Sequence, residues 1–142
     1  ELIKGTQIHE MAHLVYSKFY GSPKFDNDKG TKETEIFALL TELKNKNHDS
    51  IYLSFATICF PKGFISGKAC NEILGLFFSE MYNNQSEYPN ISFEKFDIKK
   101  QNVDVLVPQV LQLSVDQIQG LAAKSFIRSF PEMNKLYNPA GK

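Results

Sequence analysis

The sequence predicts a mainly α fold, with an α+β arrangement as the alternative, and three stretches carry that expectation. Residues Leu2 to Tyr20 contain no proline, are densely apolar and end at Gly21. Ile36, Phe37, Leu40 and Leu43 recur three and four apart, the spacing of one helix face. Ser114-Val115-Asp116-Gln117 has the form of a capping box in front of a helical pattern reaching Phe130.

The first helix is expected to be central, because Ile8, Met11, Ala12, Leu14, Val15 and Phe19 make it apolar on almost every side. Gly21 stands at the position after the helix, where left-handed backbone is favoured. Residues 21–31 are rich in turn formers and read as a loop. Thr31 can cap a second helix running to about Asn47. The apolar stretch from Ser50 to Phe60 is ambiguous between strand and helix, and Pro61 ends it. Ser66 to Asn83 reads as a helix with Ala69, Ile73, Leu76, Phe77 and Met81 turned inward. Residues 84–102 read as irregular, with a short strand around Ile91–Phe96. Val103 to Leu113 is a short helix or an extended segment broken by Pro108, and the tail after Pro131 reads as loop.

The 142 residues are enough for a single domain spanning 1–142, or for the C-terminal part of a larger one. Sixteen basic and sixteen acidic side chains cancel, so no global field recruits nucleic acid or an anionic membrane, and no apolar run is long enough to span a bilayer. Cys59 and Cys70 have no nearby Cys or His with which to build a structural zinc site. They suit either a disulfide or a pair of buried thiols.

The residues that carry chemistry are His9, Glu10 and His13. On a helix, side chains four apart leave the same face one turn apart, so both imidazoles can ligate one tetrahedral zinc. Glu10 lies about 100° round the helix from His9, where it can take a proton from a zinc-bound water without entering the coordination shell. Uncharged neighbours, Thr6, Ile8, Met11, Ala12, Leu14 and Val15, surround the motif.

Thr6-Gln-Ile-His9-Glu10-Met-Ala-His13-Leu-Val15 resembles the extended signature of the zincin metallopeptidases. The metzincin continuation would place Gly at 16 and His at 19, where this chain has Tyr16 and Phe19. The closer resemblance is to the gluzincins, whose third ligand is a glutamate on a following helix, and Lys32 to Leu40 resembles that helix. The resemblance covers residues 5–42. It implies zinc as cofactor, Glu10 as general base, a peptide or protein as substrate, and His9, His13 and a glutamate as ligands. Glu33 is the favoured third ligand, because it shares a helix face with Ile36, Phe37 and Leu40. Glu35 is the alternative, since Ala38 three residues on would let two helices approach. His48 is a weaker candidate for steadying an oxyanion or a carboxylate. Tyr16, Tyr20 and Tyr52 are candidates to donate to the tetrahedral intermediate, with nothing in the spacing to choose among them.

Zincins usually carry a sheet before the active-site helix. Here only about four residues precede that helix, so the sheet is expected to lie outside this sequence, to be rebuilt from residues 50–60 and 91–98, or to be replaced by a mainly helical core. The competing functional reading is a helical protein-interaction module that retains the motif without activity.

Overall fold

A computed structural model describes residues 2–22, 28–45, 51–59, 65–94 and 103–137. Among these the chain is mainly α: seven α-helices, one 3-10 turn and no strand. The helices are α1 (Leu2–Tyr20), α2 (Asp28–Leu43), α3 (Ile51–Cys59), α4 (Ile65–Asn83), α5 (Val103–Val110), α6 (Val115–Ser129) and α7 (Pro131–Tyr137).

α2 is the hub. It touches α1, α3, α4 and α6, and Ile36, Phe37, Ala38, Leu39, Leu40 and Leu43 are all buried around it. A helix with core on so many sides has little directional apolar bias, a point that matters for its glutamates. α4 brings Ala69, Ile73, Leu74, Phe77, Phe78 and Met81 into the same core, and Phe55 of α3 stacks on Phe77 with ring centroids 6.1 Å apart. Phe37, Phe126 and Phe130 form a ring cluster joining α2 to α6 and its end.

Local chemistry sets several boundaries. Gly21 follows α1 with φ of 86°, a backbone that an L side chain rarely adopts. Ser114 caps α6: its hydroxyl accepts from the Gln117 amide while the Gln117 side chain accepts from the Ser114 amide, the reciprocal pair expected from the sequence. α5 runs through Pro108, which is exposed and removes only the bond its own amide would have made.

Several sequence expectations are settled or changed, and α2 begins at Asp28, ahead of the Thr31 expected to cap it. The ambiguous 50–60 segment is helical as α3. The tail after Pro131, read as loop, instead carries α7, which Pro131 starts: its fixed φ suits the first helical position and its missing amide proton is no loss, and Met133 anchors the helix in the core. α1 is not central. Met11 is 64% and Leu14 71% exposed, with Val15 and Phe19 beside them. An apolar helix surface says what avoids water; it does not say that the same chain supplies a cover on every side. Of the strand expected at 91–96, Ile91 to Glu94 are not in a strand and the remainder lies outside the described residues.

Cys59 and Cys70 form a disulfide with Cα atoms 5.3 Å apart, tying the end of α3 to the beginning of α4. Closing so short a loop stabilises the fold by roughly 2–4 kcal/mol, chiefly by restricting the unfolded chain. No described helix is long and apolar enough to cross a membrane.

Candidate metal centre

α1 and α2 pack side by side, and the strip of α2 turned to α1 is small or polar: Thr34, Ala38 and Glu42 are all buried. The buried Ala12 on α1 and Ala38 on α2 let the helices come close. Into the seam project His9 and His13 from α1 and Glu35 from α2.

Their donor atoms converge. The two Nε2 atoms lie 3.1 Å apart. Glu35 Oε1 is 3.2 Å from His13 Nε2, and Glu35 Oε2 is 3.5 Å from His9 Nε2. Taking one atom from each residue, all three lie within 4.8 Å of one another, and no other such group occurs among the described residues. Bonds of about 2.0–2.1 Å at tetrahedral angles place ligand atoms roughly 3.3–3.4 Å apart, so the observed separations suit a zinc-sized ion. The donor set, two imidazoles and a carboxylate, is of the kind found in catalytic zinc sites, which keep a fourth position open.

A second ring of contacts holds the imidazoles. His9 Nδ1 is 3.3 Å from Glu42 Oε2, and His13 Nδ1 is 2.9 Å from Thr34 Oγ1. With both Nδ1 atoms occupied, both Nε2 atoms are aimed at one point. Partners of this sort orient the rings and raise ligand basicity. Neither Glu42 nor Thr34 was expected from the sequence. The signal that would have found Glu42 is its spacing of seven from Glu35, two helical turns along one stripe.

Glu33, the favoured third ligand, is placed elsewhere. Its Oε2 accepts a hydrogen bond of 3.3 Å from the Tyr16 hydroxyl. The apolar face it shares with Ile36, Phe37 and Leu40 packs into the core and against Tyr16, whereas the two histidines meet α2 at Thr34, Glu35 and Glu42. The structure therefore brings Glu35, the alternative, to the histidines. Glu10 is exposed on α1 beside them, with no hydrogen bond or ion pair among the described residues. Tyr52 donates to the Leu113 carbonyl at 2.7 Å and is taken up in holding α3. Tyr20 is exposed, and His48 lies outside the described residues.

Burial lowers the proton affinity of His9, but the carboxylates of Glu35 and Glu42 outweigh it and raise its pKa from 6.5 to about 9. The His13 and His9 rings draw the Glu35 carboxyl down from 4.5 to about 2 against the opposing effect of burial. In the metal-free chain the raised His9 contributes stability below pH 6.5, lost as pH rises through about 9. The lowered Glu35 contributes above pH 4.5, lost as pH falls through about 2. The cluster therefore supports the fold most between pH 4.5 and 6.5. Because His9 holds a proton at pH 7, zinc binding there should release about one proton, visible as a buffer-dependent heat in titration calorimetry. Glu42→Gln should weaken zinc binding about 10- to 100-fold and reduce that release. Release that is unchanged in the variant would mean that Glu42 does not govern the ring.

Comparison with protein-family models, curated proteins and solved structures finds no match to this chain.

Proposed function

We propose that this chain is a zinc-dependent metallopeptidase that hydrolyses peptide bonds, with His9, His13 and Glu35 as ligands and Glu10 as general base. The observation that carries the proposal is the convergence of the three donor atoms from two helices, one of which bears the His-Glu-x-x-His order. A zinc ion held there supplies Lewis acidity and a water acidified towards neutral pH. The chain's own residues do the rest. Glu42 and Thr34 fix both imidazoles through Nδ1. Glu10, one residue along α1 from His9, accepts the proton of the attacking water and can return it to the leaving amine. The Tyr16 hydroxyl is engaged by Glu33 and the Tyr52 hydroxyl by the Leu113 carbonyl, so neither is held at the histidines.

The competing reading, a helical interaction module, draws on one specific feature, the exposed Met11–Leu14–Val15–Phe19 surface of α1. Two measurements separate the readings. The purified protein should carry about one zinc per chain, and should cleave an unstructured protein such as casein in a way that a chelator abolishes and added zinc restores. Failure to retain zinc while folded would overturn the peptidase reading. Zinc without cleavage would favour the module.

A further inference from the structure

We infer that the hollow next to the metal centre, between α1, α2 and the α6–α7 junction, is a binding pocket for an organic cation, and that on the peptidase reading it receives a lysine or arginine side chain of the substrate. The hollow encloses about 350 Å³. Three aromatic rings line it. Tyr16 and Tyr20 lie 4.8 Å apart between centroids, and Phe130 stands 6.3 Å from each. Three carboxylates line it as well, Glu33, Glu72 and Glu132, and no lysine or arginine does.

Charge and shape point to the same class of ligand. Lys32 pairs with Glu72. Among the described residues Glu33 is met by the Tyr16 hydroxyl, and neither Glu33 nor Glu132 has a cationic partner. Two carboxylates without counter-charge around a concave wall favour a cation. They do not gather into a metal-sized group, since the only such group among the described residues is His9, His13 and Glu35. Carboxylates spread around a pocket with aromatic faces suit a broad, weakly hydrated cation with an alkyl stem: the charge meets the carboxylates and ring faces, and the stem lies on Ile36 and Leu76.

The location gives the pocket its role. Tyr16 follows His13 by three residues on α1, about 4.5 Å along the axis and about 60° round it, and its hydroxyl meets Glu33 of the hollow. A peptide whose scissile bond sits at the histidines therefore has a neighbouring side chain within reach of this hollow.

The probe is the butylguanidinium ion against neutral butylurea, which has nearly the same shape. With six tyrosines and no tryptophan in the chain, intrinsic fluorescence follows binding without interference from indole, and the ring resonances of Tyr16 and Tyr20 assign it to the hollow. Butylguanidinium should bind at least about tenfold more tightly than butylurea. Glu132→Gln, at an exposed position, should weaken it about threefold or more, and Glu33→Gln at least as much. Equal binding of the two probes, or binding of neither, overturns the pocket. With zinc loaded, peptides carrying arginine or lysine beside the scissile bond should be cut at least about tenfold faster than norleucine counterparts, a preference that Glu132→Gln reduces. Selective cation binding with no such preference removes the substrate assignment. Cation binding by a protein that cleaves nothing counts against the peptidase reading and leaves the pocket standing.

Discussion

Replacing Glu35 by Ala should lower zinc affinity at least about a hundredfold, because it removes one of three protein ligands from a site that needs them all. Glu33→Gln should leave affinity within about threefold, since that carboxylate accepts from the Tyr16 hydroxyl and is not among the donors gathered at the histidines. The two residues are only two apart on one helix, and each variant removes one negative charge, so net charge changes equally in both. The difference between them isolates the ligand. Competition with a chromophoric chelator reads it directly. Equal losses would mean that the second helix shifts when metal enters. A loss confined to Glu33→Gln would return the ligand to the residue favoured by the apolar pattern.

Glu10→Gln should retain zinc within about threefold yet slow hydrolysis by about 10²–10⁴, the range for loss of a general base. The amide keeps the size of the side chain and removes only its capacity to take a proton. Glu10 is exposed and bears no structural contact among the described residues, so the fold should be indifferent to the change. Thermal unfolding and zinc content measured on the same sample check both conditions. A variant as active as the parent would deny Glu10 its role, whatever the metal does.

Much of the architecture is legible in the sequence, for identifiable reasons. The span of α1, its glycine stop and the Ser114–Gln117 cap are local, set by a few residues whose backbone preferences outweigh their surroundings. The choice between Glu33 and Glu35 is not local. It depends on which side of α2 meets α1, and α2 is apolar on so many sides that its pattern points in no single direction. The deciding stripe consists of Thr34, Ala38 and Glu42, residues that periodicity reads as a polar face. Pro131 shows the same limit: whether a proline ends or begins a helix depends on what packs after it, here Met133. The exposed side of α1 is the third instance, since a list of apolar residues holds no record of what covers them.

All three donors sit on two helices, and α1 rests chiefly on α2, with Tyr16 and Tyr20 reaching Phe130. Such an element is a natural unit of local opening, able to lift away while the α2–α4–α6 core stays closed. Detaching it would pull His9 and His13 from Glu35 and dissolve the site. A bound ion then acts as a stitch between segments 26 positions apart in the chain, taking residues 9 and 35. At a hundredfold excess over its dissociation constant it would add about 2.7 kcal/mol against that opening. Amide exchange along α1 would slow by about the same factor of one hundred, as would core amides that exchange only through global unfolding, because neither open state holds the ion; amides released by smaller fluctuations would keep their rates, and α1 would report metal occupancy.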